Sequence, residues 1–196
     1  LYFDLSGVNR ENLKNLKFFT QFIQKTDTKN YPFTELSKKL DTYLGGLSFS
    51  FQSYQSMKDL SVYKPTLTVS LRFIDENKDK ALELVKELLV NQKFTPASRV
   101  TNLVEEMKTY MVSGISGRAP GLSMSAASKN FFPSQGAFSE ETSGGVFENY
   151  ILNEKINTEG LVKTLNELAG QVFNQKRLFL SSITSTKEQL NPLMSE

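Results

Sequence analysis

Apolar residues along this chain switch between a period of two and a period of three to four, and each switch marks a change of element. Leu1, Phe3 and Leu5 alternate with Tyr2 and Asp4, which predicts a half-buried strand. Leu13, Leu16, Phe19 and Ile23 repeat at helical spacing, flanked by Phe18 and Phe22, with Asn9 as the predicted N-cap. The polar run Thr26 to Tyr31 breaks that helix. Pro32 suits the first turn of the next, whose stripe is Leu36, Leu40 and Leu44, and Gly45 is expected as its left-handed C-terminal cap. Period two then returns: Leu47, Phe49 and Phe51 alternate with Ser48, Ser50 and Gln52, and after a loop from Met57 to Tyr63 the segment Thr66 to Phe73 places Leu67, Val69, Leu71 and Phe73 on one face. These two segments read as neighbouring antiparallel strands with one buried face.

The second half is mostly helical. Asp75 is positioned to cap a helix through Ala81, Leu82, Val85, Leu88 and Leu89, and Thr95-Pro96 opens another bearing Val100, Leu103, Val104, Met107 and Met111. Ser113 to Ser134 is rich in Gly, Ser and Ala; Gly117 to Gly121 reads as a joint between two helices, the second packing closely through Ala126 and Ala127. Ser139 is expected to cap a helix with Val146, Phe147, Tyr150 and Ile151, and Thr158 one with Leu161, Leu165, Leu168 and Val172. Arg177 to Thr184 reads as a last strand, and Thr186 onward as the start of a further element. The pattern predicts one α+β domain over residues 1–196: a mostly antiparallel sheet of five or six strands with helices packed on one face. The abrupt start and the unfinished end predict that it is excised from a longer chain.

Composition narrows the chemistry. There is no histidine and no cysteine, which removes the commonest metal ligand, the commonest general base and every thiolate. The 23 basic and 21 acidic residues leave a net charge of +2 with no cationic run, so nucleic acid is not an expected partner. No apolar run reaches the roughly 20 residues of a bilayer span, so no membrane partner is expected either. With no signal-like segment, cytosol or an organelle matrix is the most compatible compartment.

Each short motif has a plain structural explanation. Gly114-Ile115-Ser116-Gly117-Arg118 approaches G-x-S-x-G but ends in arginine and follows a helix, whereas a nucleophile elbow follows a strand. Gly114, Gly117 and Gly121 lack the Gly-Lys-Ser/Thr of a phosphate loop. Ser125 and Lys129 miss S-x-x-K spacing by one residue, and Glu140-Glu141 fit a place where a helix N-terminus favours negative charge.

The segment from Phe18 to Phe51 carries the specific signal: Phe18-Phe19-Thr20-Gln21-Phe22, Thr28-Lys29-Asn30-Tyr31-Pro32, and Gly45-Gly46 leading into Leu47-Ser48-Phe49-Ser50-Phe51. It resembles the active-site segment of the insulinase/pitrilysin family of zinc metallopeptidases, in which an H-x-x-E-H helix precedes a Gly-Thr-Lys-x-Tyr-Pro turn, a second helix, a Gly-Gly pair and a strand. Alignment on Thr28-Lys29-x-Tyr31-Pro32 puts the first histidine on Phe18, the glutamate on Gln21 and the second histidine on Phe22. Phenylalanine has no lone pair for zinc, and a glutamine amide takes up no proton at neutral pH.

The resemblance, nearest to the presequence-protease branch, implies a non-catalytic repeat of the metallohydrolase-like domain, like the first domain of the C-terminal half. It implies no catalytic and no metal-binding residue here, with zinc held in the catalytic domain of the parent enzyme. It implies a chamber that degrades unfolded peptides, this domain forming wall and contacting the catalytic half of the same polypeptide. The third zinc ligand of the family lies on the helix equivalent to that of Glu105 and Glu106, which read here as solvated surface groups. In the catalytic domain the strand equivalent to Leu47, Ser48, Phe49, Ser50 and Phe51 is an edge that takes peptide substrate by β-augmentation, making these five the candidate substrate-edge residues. Two alternatives stand beside this one: a free-standing inactive scaffold subunit that supports a separate active peptidase, and an unrelated protein-interaction module.

Overall fold

A computed structural model describes residues 1–9, 12–59 and 61–183. Four strands, β1 (Tyr2–Asp4), β3 (Gly46–Gln55), β4 (Tyr63–Arg72) and β6 (Leu178–Phe179), form one antiparallel sheet in the order β3-β4-β1-β6. The pairing of β3 with β4 is the longest, running without interruption from Gly46 opposite Arg72 to Gln55 opposite Tyr63. Two short strands, β2 (Asp27–Thr28) and β5 (Gln92–Thr95), form a separate antiparallel pair. The main sheet thus has four strands among the described residues, where the pattern predicts five or six. The α+β class and the helical layer on one face are as expected.

The helices are α1 (Leu13–Phe22), α2 (Phe33–Tyr43), α3 (Lys78–Val90), α4 (Ala97–Ser113), α5 (Ile115–Ser128), α6 (Pro133–Thr142), α7 (Gly145–Asn153) and α8 (Thr158–Val172). Their apolar stripes bury largely as the spacing dictates: Leu36 and Leu40 on α2, Val100, Leu103, Val104 and Met111 on α4, and Leu161, Leu165, Leu168 and Val172 on α8. On α3 the inward position is Leu84, with Leu82 only half-buried. At the centre lies α1, where Leu16, Phe18 and Phe19 are wholly inaccessible and Phe22 is nearly so.

Several local expectations are corrected. Asn12, not Asn9, stands immediately before α1. Gly45 is not a left-handed cap: Leu44 is already extended, at φ −114° and ψ 133°, and the Gly45 N–H donates to the Arg72 carbonyl at 2.7 Å, because the chain runs straight from α2 into the sheet. Gly117 to Gly121 is no joint; α5 is one helix through Pro120, and Ala126 and Ala127 do not pack into the core. Arg118 on α5 donates from Nε to Glu148 at 2.9 Å and from Nη2 to the Met111 carbonyl at 2.6 Å, which fastens this helix to α7 and α4. Ser139 lies inside α6 and caps nothing; α7 begins after Gly144. The last strand is confined to Leu178–Phe179, and the segment from Thr184, including the element expected from Thr186, lies outside the described residues.

The Thr28–Pro32 turn is built by its own polar groups. The Thr28 N–H donates to the Tyr31 carbonyl at 2.9 Å, the Tyr31 N–H returns to Thr28 Oγ1 at 3.2 Å, and Asp27 Oδ1 accepts from the Phe33 N–H at 2.8 Å, satisfying an orphan donor of α2. A buried carboxylate on α3 holds this turn in place: Glu87 accepts from the Asn30 N–H at 3.0 Å and from Asn30 Nδ2 at 2.8 Å. Burial works against the charged form of Glu87, yet hydrogen bonds from Thr28, Asn91 and Asn30 outweigh it and hold the carboxyl below its ordinary value.

Two stability outcomes follow from this packing. Phe19→Ala removes a ring wedged between Phe94 and Phe173 and is expected to cost about 3–5 kcal/mol; urea denaturation measures it, and a loss under about 1 kcal/mol would show that the site collapses to fill the space. Glu87→Gln is expected to cost about 1–3 kcal/mol near neutral pH. Because the folded value is lowered, this contribution is complete above the ordinary glutamate value and disappears as pH falls through the folded one. Denaturation of both proteins across acid pH should show their difference shrinking; a constant difference would rule out the charged carboxylate as its source.

Candidate functional site

The positions aligned with the zinc motif lie on α1, and helical geometry places Phe18 and Phe22 on one face, as it would two metal-binding imidazoles. Both rings are buried, with centroids 5.5 Å apart. Helix α7 packs on the first of them: Phe147 meets Phe18 edge-on at 5.4 Å, and Tyr150 meets Phe18 edge-on at 6.0 Å. The Lys14 ammonium sits 3.9 Å from the Tyr150 ring centroid, closing the outer side of this aromatic cluster. Gln21 is exposed to solvent. These residues do not fit a zinc ion, since two phenyl rings offer no donor and the neighbouring side chains are aromatic.

Carboxylates on the surrounding helices have other partners. Glu105 and Glu106 on α4 are exposed, as expected, and face Lys108 at 3.1 Å and Arg99 at 3.7 Å. Glu148 on α7 is buried and is the acceptor for Arg118; no spacing along the chain signals that partnership, because the two residues are brought together only by the docking of α5 on α7. Glu140 lies near the end of α6 and accepts the Gly145 N–H at 3.1 Å, so its charge does serve a helix N-terminus, that of the following helix α7. Among the described residues no group of three or more acidic side chains converges into a metal-sized cluster.

Leu47, Ser48, Phe49, Ser50 and Phe51 lie within β3, which is an outer strand of the described sheet and pairs with β4 alone. Their side chains alternate strictly: Leu47, Phe49 and Phe51 are half-buried on the helical side, and Ser48 and Ser50 are exposed on the other. The Phe51 ring lies 6.3 Å from Phe138 of α6, so the helical layer reaches the edge of the sheet. The aromatic cluster on α1 and the β3 edge are thus separate features, one closed and one open.

Known proteins are similar to nearly the whole of this chain. Protein HypA of Clostridium perfringens is 21% identical over 192 residues, covering 97% of this chain and 20% of that protein. The mitochondrial presequence protease of Drosophila melanogaster is 20% identical over 187 residues, covering 90% of this chain and 17% of the protease. An uncharacterized protein of Borreliella burgdorferi is 24% identical over 168 residues, covering 86% of this chain and 17% of its own length. The chain therefore spans a fifth or less of each of these relatives. The similarity to a presequence protease agrees with a non-catalytic domain of the insulinase type, and since the family described as peptidase M-16C associated matches residues 1–151, the chain belongs to that family.

Proposed function

We propose that this chain is a non-catalytic domain of a longer zinc-dependent metallopeptidase, equivalent to the first domain of its C-terminal half. In this reading it forms part of the wall of an enclosed, peptide-degrading chamber and contacts the half that carries the metal. The observation that supports this reading is on α1: at the positions aligned with the two zinc-binding histidines stand Phe18 and Phe22, and Phe18 packs against Phe147 and Tyr150. Zinc, the Lewis acid of such an enzyme, would be held by another domain, and the contribution of this chain is shape and contact.

The surface around α5 supports the contact. Between Thr109 and Phe132 only Arg118 and Lys129 carry charge, and Arg118 is turned inward to Glu148. No residue of α5 is buried, yet Tyr110, Val112, Met124 and Phe131 are each more than 60% exposed. An apolar surface of this kind marks an interaction site in soluble proteins. The catalytic half of the same polypeptide is the partner this reading assigns to it, and unfolded peptides are the substrates assigned to the chamber.

The first test is the intact mass of the natural protein with peptide mapping upstream of Leu1. A mass several times 22.1 kDa with an H-x-x-E-H peptide upstream is expected, and a mass near 22.1 kDa overturns the reading. Within the intact protein, Met124→Asp is expected to lower peptidase activity by loosening the contact, while changing the stability of this domain by less than about 0.5 kcal/mol. Unchanged activity and an unchanged association of the two halves would remove α5 from the interface.

A further inference from the structure

Helix α5 is held to the domain by little. Its inward stripe is Arg118, Leu122, Ser125 and Ser128, all half-buried, and Leu122 is the one large apolar residue in it. The stripe of α8, by contrast, is buried throughout as Leu161, Leu165, Leu168 and Val172. Ser128 turns its hydroxyl back onto the Ser125 carbonyl at 2.8 Å, so this group reaches no neighbouring helix. The helix is also weak in itself. Among the described residues, nothing outside the adjoining chain lies within 4 Å of where a Cβ would stand at Gly117 or Gly121, so no close packing calls for glycine at either position. Each disfavours the helix by roughly fivefold relative to alanine. Pro120 lacks the N–H that would bond the Ser116 carbonyl. A segment built in this way opens ahead of the elements that share the core.

Two fastenings bound it. At its C-terminal end a Cβ on Gly136 would stand 2.3 Å from the Lys129 Cα, so the start of α6 lies directly on the backbone that ends α5. Near its N-terminal end Arg118 donates from Nε to the buried Glu148 at 2.9 Å, from Nη2 to the Met111 carbonyl at 2.6 Å and from Nη1 to the Tyr110 carbonyl at 3.4 Å. Met111 and Tyr110 belong to the end of α4 and Glu148 to α7, so one side chain joins three helices around Gly114, the residue between α4 and α5. Among the described residues these are the only side-chain hydrogen bonds from α5 to another element.

We propose that α5 is a strap that opens between Gly114 and Lys129 while the rest of the domain stays folded, with the contact of Arg118 and Glu148 as the latch that sets how often it does so. Opening takes Met124 out of its place and separates it from Tyr110, Val112 and Phe131, which lie beyond the two ends of the helix. The strap thereby governs whether the surface assigned above to the catalytic half is assembled, and this regulatory role rests on that reading. A contact made only by the closed form weakens in proportion as the closed fraction falls.

Amide hydrogen exchange along the 196-residue chain tests the strap. Amides in the last two turns of α5 are expected to be protected, but at least about 100-fold less than those of α8. Low concentrations of urea should speed exchange in α8 steeply and in α5 little, because opening α5 exposes little surface. Arg118→Ala should lower α5 protection at least about tenfold, and Gly117→Ala with Gly121→Ala should raise it by roughly fivefold for each alanine. Protection of α5 equal to that of α8, with the same urea dependence, overturns the strap. So does an α5 unprotected in the unaltered protein, an Arg118→Ala effect below about twofold, or unfolding of the whole domain by that substitution. In the intact protein Arg118→Ala is expected to lower peptidase activity, and the two alanines added to it to restore activity, since they meet nothing outside α5 and act by closing it. Failure of that rescue overturns the regulatory role. A natural protein of mass near 22.1 kDa overturns the chamber reading instead and leaves the exchange results standing.

Discussion

Burial of helix α1 is the constraint on which the rest of this domain depends, because two chains of aromatic contact start from it and reach both the sheet and the helical layer. Phe19 packs against Phe94 of β5 at 5.2 Å and against Phe173 at 5.3 Å, and Phe173 in turn meets Phe3 of β1 edge-on at 4.9 Å. Through these rings the helical layer is joined to the sheet. Phe18 runs the other way, to Phe147 and Tyr150 of α7. Aromatic pairs of this geometry add about 0.5–1.5 kcal/mol each beyond the area they bury. A helix enclosed on so many sides cannot also present a metal to a substrate. Phe18 and Phe22, which stand at the positions aligned with the zinc-binding histidines, are themselves members of this aromatic cluster.

Polar groups inside the domain join elements that apolar packing alone would leave free to slide. Glu87 clamps the Thr28–Pro32 turn to α3, Arg118 fastens α5 to α4 and α7 through Glu148 and the Met111 carbonyl, and Glu140 receives the first N–H of α7. Each carboxylate is buried; Glu87 and Glu148 accept from side-chain donors, whereas Glu140 accepts the Gly145 N–H through Oε2 and, among the described residues, keeps Oε1 without a hydrogen-bond partner. Phe94 makes a similar exchange in the backbone: it holds φ at +47°, unfavourable for a bulky residue, with its ring fully enclosed against Phe19. The consequence is an interior whose helices and turns are fixed to one another, while apolar side chains left open to solvent include Tyr110, Val112, Met124 and Phe131 around α5.

Much of this is legible along the chain, where local periodicity and burial coincide. The alternation of Leu47, Phe49 and Phe51 and of Leu67, Val69 and Leu71 is enough for two paired strands, and the Leu161-Leu165-Leu168-Val172 stripe is enough for α8. Gly45, Ser139 and the Gly117–Gly121 stretch mislead for a common reason: glycine and serine report what the backbone is able to do, and the surroundings decide what it does. Gly45 is drawn into the sheet by the Arg72 carbonyl, and α5 continues through Pro120 while Arg118 anchors it. Strands β2 and β5, of two and four residues, are too short for any period to register.

By itself the sequence determined that no histidine- or cysteine-ligated metal site can be built from this chain, since it contains neither residue and has phenylalanine at both positions aligned with the zinc-binding histidines. It also determined the turn that carries the family resemblance, because Thr28, Tyr31 and Pro32 act within a few residues of one another. Only the tertiary structure decided that β3 lies at the edge of the sheet, that Glu148 receives Arg118, and that α5 faces outward. Strand order and helix docking are set by pairings between residues far apart in the chain, and hydrophobic periodicity records which face of an element is buried without recording what lies against it.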